Sequence, residues 1–444
     1  MGIDFSIKNF FYPAGIYRLK QTLDKTQWLP RGELLEYQEQ RLAVIVNQAC
    51  NHIPYYRRLF KELGVTPADI RHVNDLKKLP LLSKSTVCER NADFIADNAK
   101  RYHPVVYTTS GTSGVPMQIH LDRDSRILEF IYYWRHWGWA GYRLGDRFAE
   151  LRGSFFMHGN NDALLLWQPY VRRLMLNNSQ ISSSRVKEVA GALRKYRPKF
   201  LKGMASILYF LALHFKQAEV TDISFQAVFS NGEVLTPQYR AMIEQVFDCP
   251  VLDSYGHMES AVAISQCMEG GYHINSDYGI LEFEDPRPSE NGATMVGRAV
   301  GTSLYNHVMP FIRYEVGDDI EFFAEDKTCP CGRTLPLVKV IHGRSDDMII
   351  TPDGRVVITL YVLMKFGAKL RFAQFIHESP AVLHVNVVPG EMWADGDNDE
   401  MLRYMKELTG KEMDVRVHRI TRDDLITDPS GKTRTVISYV KQQV

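Results

Sequence analysis

A loop rich in hydroxyl groups and glycine is the first feature of the sequence that could do chemistry: Thr108-Thr109-Ser110-Gly111-Thr112-Ser113-Gly114-Val115-Pro116. Its hydroxyls, and the backbone N–H groups that glycine allows to turn inward, are suited to hold phosphate oxygens. The loop is not a P-loop, because it lacks the lysine of that motif and a strand pattern follows it. Read alone, it fits a flexible Ser/Gly hairpin turn equally well.

Two further polar groups follow runs that predict the strands of a βαβ unit. The run from Phe225 to Phe229 is apolar, Thr236-Pro237 is a helix cap with proline at the first helical position, and Val251 to Tyr255 is extended. Such units form parallel sheets, whose ligands bind beyond the carboxyl ends of the strands. Asn231-Gly232-Glu233 and Tyr255-Gly256 fall at these ends. We expect them to face one another across a single ligand.

Cysteine and histidine form a separate group of candidate metal ligands. Cys329-Pro330-Cys331 is a tight turn that directs two thiolates to one side, and Cys267 and His273 form a second closely spaced pair. Together they predict a tetrahedral Cys3His zinc site, which would be structural because all four ligands come from the protein. The alternative is four unrelated buried residues, since Cys267 is distant in sequence from the CxC pair.

Composition limits the classes of function that remain. A chain of 444 residues, 45% hydrophobic, is longer than one compact domain usually is, so we expect two or three domains. The formal charge of +1 provides no basic field, so nucleic acid is not an expected partner. Apolar runs are too short for a membrane helix, and the N-terminus does not resemble a secretory signal. Six scattered cysteines favour a reducing compartment, and we expect a cytoplasmic protein.

The elements that must position these residues are predicted from periodicity and caps. Apolar residues at helical spacing predict one or two amphipathic helices over Glu33 to Leu63, and strands are expected on both sides of the 108–116 loop, at Pro104 to Tyr107 and Met117 to Leu121. After Asp346 a small α+β pattern follows. It consists of a strand from Ala381 to Val388, a helix from Asn398 to Thr409 and strands from Met413 to Ile420 and Thr435 to Val440. The boundary is placed between residues 345 and 346.

The motifs resemble those of the acyl-adenylate-forming superfamily, in the same order along the chain. The 108–116 loop is similar to its phosphate-binding signature, and Ser254-Tyr255-Gly256-His257-Met258-Glu259 to its adenine and magnesium motif. Tyr314-Glu315-Val316-Gly317-Asp318 resembles the ribose motif, Gly343-Arg344-Ser345-Asp346-Asp347 the hinge, and Gly431-Lys432 the motif of the C-terminal catalytic lysine. Their spacing and Cys329-Pro330-Cys331-Gly332-Arg333 look most like the phenylacetate-CoA ligase branch, which includes relatives in capsule biosynthesis.

This resemblance implies an α/β fold with a large N-terminal adenylate-forming domain of mixed parallel sheets, residues 1–345, and a small mobile C-terminal α+β domain, residues 346–444. It also implies that ATP and Mg²⁺ activate a carboxylic acid to an acyl-AMP, which is then transferred to a thiol such as that of coenzyme A. Lys432 and Glu259 would be catalytic, with Glu259 the magnesium ligand, and Asp346 would be the hinge. The implied nucleotide-binding residues are Thr109, Ser110, Gly111, Thr112, Ser113, Gly114, Gly232, Glu233, Ser254, Tyr255, Gly256, Asp318 and Arg344.

Each implied role also has a physical basis. Tyr255 can stack on adenine, with the backbone of Gly232 and Glu233 on the other side. A glutamate oxygen is a hard ligand for Mg²⁺, and Asp318 can accept both ribose hydroxyls. Arg344 can donate to ribose or phosphate oxygens, and Lys432 can neutralise charge during attack on the α-phosphate. Taken singly, these residues are explained better by core packing, solvation or surface ion pairs than by function, and it is their joint order along the chain that favours function.

Segments Gly153 to His158, Lys202 to Ser206 and Ser230-Asn231 are expected to form the acid pocket, which suits an aromatic or other mid-sized acid. Its candidate residues are Phe156, Gly203, Ser230, Asn231 and His257, the last of which either contacts the substrate or packs.

Two departures from the resembled pattern bear on the acceptor. The 108–116 loop lacks a lysine near its end, and Thr351-Pro352-Asp353-Gly354-Arg355 fits an Asp-Gly hairpin in place of a loop that serves thiol acceptors in phenylacetate ligases. Coenzyme A transfer therefore has an alternative, in which an amine accepts the acyl group or AMP passes to a stable product. An alternative of another class is a catalytically silent nucleotide-binding scaffold. A homodimer is also compatible with the sequence.

Overall fold

The structure of the protein is a computed structural model. This structure describes residues 13–108, 117–152, 163–177, 181, 185–289, 292–344, 348–350, 352, 356–358, 366, 369–390, 392–421, 424–426 and 436–440. One compact unit extends to Gly343 and a second begins at Arg344. The predicted boundary between residues 345 and 346 falls just outside the described residues and stays a prediction.

Some helices of the first unit begin or end at a cap that the sequence supplies. The Asp122 carboxylate accepts from the Ser125 amide at the start of α5, and the Thr236 hydroxyl accepts from the Tyr239 amide at the start of α8. Gly64, in the left-handed conformation, ends α3. None of the described helices is long and apolar enough to cross a bilayer. The helices are α1 Pro13–Thr26, α2 Arg31–His52, α3 Pro54–Leu63, α4 Lys84–Glu89, α5 Arg123–Trp139, α6 Val186–Tyr196, α7 Ala205–Gln217 and α8 Pro237–Phe247.

Strands β1 Val105–Thr108 and β2 Gln118–Leu121 pair antiparallel on either side of the 109–116 segment, which confirms the predicted strands. The described residues also form a 12-stranded mixed sheet in the order β11-β12-β13-β14-β10-β9-β8-β7-β6-β3-β5-β4. Its members are β3 Phe148–Leu151, β4 Leu165–Gln168, β5 Arg173–Leu176, β6 Phe200–Gly203, β7 Ala227–Asn231, β8 Val251–Gly256, β9 Ala263–Gln266, β10 Tyr272–Ile274, β11 Gly279–Pro288, β12 Met295–Ser303, β13 Tyr314–Phe322 and β14 Leu337–Arg344.

The parallel part of this sheet contains the predicted βαβ unit. Strands β5, β3, β6, β7 and β8 run parallel, and α8 connects β7 to β8. The carboxyl ends of these strands therefore lie along one edge of the sheet, as the sequence predicts.

An aromatic core joins α5 to the parallel strands. The Trp137 ring stacks on Phe229 of β7 with centroids 5.6 Å apart, and Phe200 of β6 stacks on the other side of Phe229 at 5.7 Å. Burying each of these rings stabilises the fold by roughly 2 kcal/mol. This core fixes one face of α5 against the strands whose ends carry the candidate site.

A buried ion pair holds α5 to the chain after β10. The Arg135 guanidinium donates to Asp277 at 2.6 Å and to the Leu23 carbonyl of α1 at 2.7 Å. Tyr132 and Thr26 also donate to the Asp277 carboxylate. Because all of these groups are buried, removing one partner would leave an uncompensated charge and cost about 3 to 5 kcal/mol.

The second unit has the α+β pattern that the sequence predicts. Its four-stranded sheet has the order β19-β18-β17-β20, and Phe375, Val385, Met401 and Met405 lie in its core. Strand β17 is an addition that the sequence analysis did not predict. The described elements are β15 Met348–Ile350, β16 Val356–Ile358, β17 Leu370–Ser379, β18 Val382–Pro389, α9 Asp397–Thr409, β19 Asp414–Arg419 and β20 Val436–Ser438.

Candidate active site and metal centre

The polar residues after β7 and within β8 lie at neighbouring strand ends. Asn231 is the Cα partner of Ser254, so the chain that continues through Gly232 and Glu233 starts beside Tyr255 and Gly256. The Ser254 hydroxyl donates to the Ser230 carbonyl at 3.0 Å, which adds a side-chain hydrogen bond to the backbone hydrogen bonds between β7 and β8. Gly232 has a φ of +80°, a conformation that a side chain would strain. The sharp turn at this strand end therefore depends on glycine.

Tyr255 and Asp318, from motifs far apart in sequence, are in direct contact. The Tyr255 hydroxyl donates to Asp318 Oδ2 at 2.5 Å. Tyr255 lies near the end of β8 and Asp318 within β13, so this bond joins the parallel and antiparallel parts of the sheet. Both side chains remain partly exposed. An aromatic face and a carboxylate are thus available side by side.

Glu259 is buried, with 8% of its surface exposed, and is held through both carboxylate oxygens. Tyr314 donates to Oε1 at 3.2 Å, and His257 Nδ1 lies 3.0 Å from Oε2. Burial opposes ionisation, but the hydrogen bond and charge of His257 outweigh it and lower the pKa of Glu259 to about 2. Since that carboxylate is ionised, it accepts and His257 Nδ1 donates. Each oxygen keeps a lone pair for a further partner.

The candidate pocket residues Gly203, Ser230, Asn231 and His257 lie on β6, β7 and just after β8. Gly203 is the Cα partner of Ser230, and a Cβ at Gly203 would lie 3.1 Å from Leu151 Cβ, so only glycine fits there without a shift. His257 Nε2 is buried and has no hydrogen-bond partner among the described residues. The imidazole therefore binds Glu259 through Nδ1, and Nε2 remains available for another hydrogen bond.

The four candidate metal ligands converge. The ligand atoms of Cys267, His273, Cys329 and Cys331 all lie within 4.8 Å of one another. Cys267 Sγ is 3.5 Å from Cys329 Sγ, and Cys331 Sγ is 3.3 Å from His273 Nε2. The cysteines are free thiols. The alternative of four unrelated buried residues is therefore wrong in its geometry: they form one cluster.

The surroundings of this cluster favour a metal ligand set. His273 Nδ1 lies 3.3 Å from the Leu335 carbonyl, which can only accept, so Nδ1 carries the proton and Nε2 presents a lone pair to the sulfurs. Burial lowers the pKa of His273 to about 4, which keeps the ring neutral. A Cβ at Gly271 would lie 3.0 Å from Cys329 Sγ, so glycine leaves room around the sulfurs.

The thiols differ in how readily they ionise. Burial raises the pKa of Cys329 to about 12 and also raises the pKa of Cys267. At Cys331 burial is outweighed by hydrogen bonds from Arg333, which lower the pKa of that thiol. A bound cation would stabilise the negative charge of the two buried cysteines in their thiolate form.

Several predicted site residues fall outside the described part of the chain. They are Thr109, Ser110, Gly111, Thr112, Ser113, Gly114, Phe156, Asp346 and Lys432, and for Arg344 only the backbone, at the end of β14, is described. The roles given to them stay predictions.

Sequence reasoning missed several residues of this region. Tyr314 was recognised as part of a motif but not as the donor to Glu259, and His257 was not recognised as the second donor. Glu150 also escaped notice, and Lys202 was included in a pocket segment but given no role, although each is a charged residue inside an otherwise apolar strand. A charge at such a position is the signal that could have found them.

Comparisons with known proteins agree with this geometry. The chain is 27% identical over 338 residues to a phenylacetate-coenzyme A ligase of Thermus thermophilus, covering 72% of this chain and 73% of that protein. It is 22% identical over 425 residues to protein CapK of Staphylococcus aureus, covering 92% and 90%. No protein-family model matches the chain.

Among solved structures, a 2-hydroxyisobutyryl-CoA ligase in complex with R3-HIB-AMP superposes with a TM-score of 0.68 at 21% identity, covering 93% of this chain and 91% of that one. The fold thus matches that of this ligase, which confirms the predicted α/β fold class. The sequence similarity to phenylacetate-CoA ligases and CapK confirms the resemblance to the phenylacetate-CoA ligase-like branch.

Proposed function

We propose that this protein is an AMP-forming acid ligase: it activates a carboxylic acid with ATP and transfers the acyl group to the thiol of coenzyme A. The observation that carries the proposal is the bond between Tyr255 and Asp318, beside an ionised Glu259. It brings an aromatic face, a hydroxyl-accepting carboxylate and a cation ligand to the carboxyl ends of the parallel strands, where nucleotides bind in open α/β sheets. The names of the relatives, phenylacetate-coenzyme A ligase among them, support the same reaction.

The reaction has two steps that use one site. An acid oxygen attacks the α-phosphorus of ATP, the bond to the β-phosphate bridging oxygen breaks, and pyrophosphate leaves with that electron pair. The coenzyme A thiolate then attacks the acyl carbon, and AMP leaves with the mixed-anhydride oxygen. One solved neighbour is described as holding 2-HIB-AMP and CoA in the thioesterification state, which supports this order.

Different residues are proposed to take different roles in this reaction. Tyr255 would pack on adenine beside Gly232 and Glu233, and Asp318 would accept the ribose hydroxyls. Glu259 would hold Mg²⁺, and the ion would neutralise phosphate charge as pyrophosphate departs. The 109–114 loop and Arg344 are proposed to contact phosphate oxygens, with Asp346 as the hinge. Lys432 is proposed to bring a cation to the acid and the α-phosphate.

We also propose that Cys267, His273, Cys329 and Cys331 hold a structural Zn²⁺. A neutral imidazole with its second nitrogen bonded to a carbonyl, and three sulfurs within 4.8 Å, match the donor set of closed zinc sites. The site links the β9–β10 hairpin to the segment between β13 and β14. Its role is to fix these strands, because four protein ligands leave no open position for substrate.

Pyrophosphate release tests the proposed activity and the role of Lys432. We expect release from ATP with a suitable acid, AMP and a thioester only when coenzyme A is added, and a loss of roughly a hundredfold or more in Lys432→Ala. An exposed lysine of the second unit, Lys411, gives the matched variant Lys411→Ala, which should behave as wild type. The assay measures release over aromatic, aliphatic and amino acids, with coenzyme A replaced by amines in a parallel series.

Each result of that assay selects among the alternatives. Acid-dependent release without a thioester, but with an amide or an AMP-bearing product, would replace coenzyme A by another acceptor. Absence of release with every acid would favour the silent nucleotide-binding scaffold. Unchanged release in Lys432→Ala would refute the role of that lysine. The homodimer and the cytoplasmic location stay predictions.

Ribose recognition by Asp318 predicts a change in nucleotide selectivity. A hydrogen bond to a charged group contributes about 1.5 to 3 kcal/mol, so Asp318→Asn should raise the KM for ATP roughly tenfold or more. Wild type should prefer ATP over 2′-deoxy-ATP, and the variant should lose most of that preference. Steady-state kinetics with both nucleotides measure it.

The neighbouring carboxylate supplies the control. Asp319 is engaged by Arg287 at 2.8 Å, so Asp319→Asn should keep the preference for the 2′-hydroxyl. Equal loss of selectivity in both variants would contradict a specific ribose contact.

A further inference from the structure

A layer of polar residues lies between α5 and the sheet, on the carboxyl-terminal side of the aromatic core. Lys202 on β6 is the Cα partner of Glu150 on β3 and of Phe229 on β7. From α5, the Tyr133 ring lies 4.4 Å from Lys202 Nζ, and Trp137, one turn further on, lies 5.2 Å from it. Lys202 therefore lies next to the aromatic core, and 14% of its side chain is exposed.

The charges in this layer are only partly matched. Arg173 donates to Glu150 Oε2 at 2.8 Å, whereas Lys202 Nζ lies 3.6 Å from Glu150 Oε1. Glu150 is thus hydrogen-bonded by Arg173, and the positive charges of Lys202 and Arg152 also act on this carboxylate. Among the described residues Lys202 has that one ion pair and no hydrogen bond, so its ammonium retains donors for a further acceptor.

Glu129 adds an acceptor to the same layer. It lies one helical turn before Tyr133 on α5, and no hydrogen bond or ion pair reaches it from the described residues. Glu129 and Tyr133 share one face of α5, and the Tyr133 ring contacts Lys202, so the carboxylate lies on the same side of the helix as the ammonium. Burial raises the pKa of Glu129, and the charge of Lys202 acts in the opposite direction. Burial raises the pKa of Tyr133, and the side chain of Asn231, at the end of β7, acts in the opposite direction. Glu129, Tyr133, Lys202 and Asn231 are all partly exposed, so a bound molecule can contact them.

The layer lies within reach of an acid whose carboxylate is beside the nucleotide residues. Strand β8 carries Tyr255, β7 is its neighbour, and β6 with Lys202 comes next. Adjacent strands are about 4.8 Å apart, so Lys202 lies roughly 10 Å across the sheet from β8. Lys202 shares a face of the sheet with Ser254, and Tyr255 points to the other face. An acid bound beyond the carboxyl ends of these strands is long enough to place its reacting carboxylate beside Tyr255 and its opposite end at Lys202 and Glu129.

We propose that Glu129, Tyr133, Lys202 and Asn231 select acids that carry a hydroxyl group at the end remote from the reacting carboxylate. This inference rests on the proposed function. A hydroxyl accepts from Lys202 and donates to Glu129, and so satisfies both. A second carboxylate is repelled by Glu129, and an ammonium by Lys202. An apolar end leaves Glu129, and the donors of Lys202 that Glu150 does not use, without a hydrogen-bond partner, which is unfavourable.

Selection for a hydroxyl group limits the set of acids that the sequence alone predicts. An aromatic or other mid-sized acid remains compatible with the pocket, but the unmatched charges disfavour one without a polar substituent. Lys202 and Glu129 act on substrate choice rather than on the chemical step.

Matched pairs of acids test the proposal: phenylacetate with 4-hydroxyphenylacetate, benzoate with 4-hydroxybenzoate, and isobutyrate with 3-hydroxyisobutyrate. In wild type we expect the hydroxylated member of at least one pair to have a kcat/KM for pyrophosphate release at least about tenfold above its partner. Lys202→Met keeps the length of the side chain and leaves Glu150 with Arg173. It should remove that preference by lowering kcat/KM for the hydroxylated acid while leaving or raising that for its partner.

Lys199→Met is the matched control, because Lys199 precedes the same strand, is exposed and pairs with Asp146. It should keep the preference, and the KM for ATP should be unchanged in both variants. Glu129→Gln should weaken the preference in the same direction as Lys202→Met. Equal loss for both members of a pair in Lys202→Met would assign that lysine a structural role and overturn the proposal.

Two other results would separate a failure of this proposal from a failure of the proposed function. A wild-type preference for the members that lack the hydroxyl, or less than threefold discrimination in every pair that turns over, would also overturn the proposal. Absence of release with all six acids and with the wider panel would instead reject the acid-activating function on which it rests.

Discussion

Replacing Glu259 with glutamine should lower acid-dependent pyrophosphate release about a hundredfold or more, with a smaller effect on the stability of the fold. Glutamine has the size of glutamate, and its carbonyl can still accept from Tyr314. What it removes is the negative charge with which Glu259 is proposed to hold Mg²⁺, whose stabilisation of phosphate charge would amount to several kcal/mol. Release should also become dependent on much higher Mg²⁺ concentrations, and a magnesium titration of the initial rate measures both effects.

Glu315 offers the matched control for that substitution. It lies on β13 next to Tyr314 but is partly exposed and pairs with Arg298 at 3.2 Å, so Glu315→Gln should leave the magnesium dependence unchanged. Because the pKa of Glu259 is lowered to about 2, its carboxylate stays ionised as pH falls from 8 to 5. A loss of wild-type activity in that range would therefore come from another group. An unaltered magnesium titration in Glu259→Gln would exclude this residue as the ion's ligand.

Local patterns were sufficient to predict many elements of the fold. Helices α2 and α3, strands β1 and β2, the βαβ unit and the elements of the second unit from β18 onward follow from periodicity and end signals, which depend on neighbours in sequence. Helix α5 was missed because Leu128, Tyr132, Arg135 and His136 are all buried, so it lacks a simple polar face. Strand β17 was missed for a similar reason: Gln374 and His377 are buried within it and break the apolar pattern.

The candidate site was predictable as a set of residues but not as a network of contacts. Ordered motifs identified Glu259, Tyr255 and Asp318, but the bond between the last two depends on how β8 and β13 are arranged in one sheet. Strand order is determined by contacts between distant parts of the chain, and no local pattern encodes it. The same holds for Lys202 and Glu129, which come from a strand and a helix far apart in sequence and meet only because α5 packs on the sheet.

Loss of the proposed zinc site should both destabilise the protein and weaken the proposed binding of ATP. Protein purified without chelator should contain about one zinc per chain, and Cys331→Ser should contain far less. Cys331 is the partly exposed ligand of the four, so serine there leaves the smallest change in core packing. Since a closed zinc site contributes folding free energy directly, we expect the variant's thermal midpoint to fall by several degrees or more.

The effect on nucleotide binding follows from the strands that the cluster joins. Strand β9, which leads to Cys267, pairs with β8 so that Ile264 lies opposite Tyr255. Cys329 and Cys331 follow β13, which carries Asp318. Without the metal, the two strands that hold the Tyr255–Asp318 bond lose a cross-link, so the KM for ATP should rise in Cys331→Ser.

Cys88→Ser, on α4 and outside the cluster, should retain zinc, the thermal midpoint and the KM for ATP. Metal analysis, thermal unfolding and ATP kinetics on the three proteins make the comparison. Less than half a zinc per chain in the wild type would count against a zinc centre. A full complement of zinc in Cys331→Ser would exclude that residue as a ligand. If zinc is lost while the KM for ATP stays unchanged, the cluster stabilises the fold without positioning Tyr255 and Asp318.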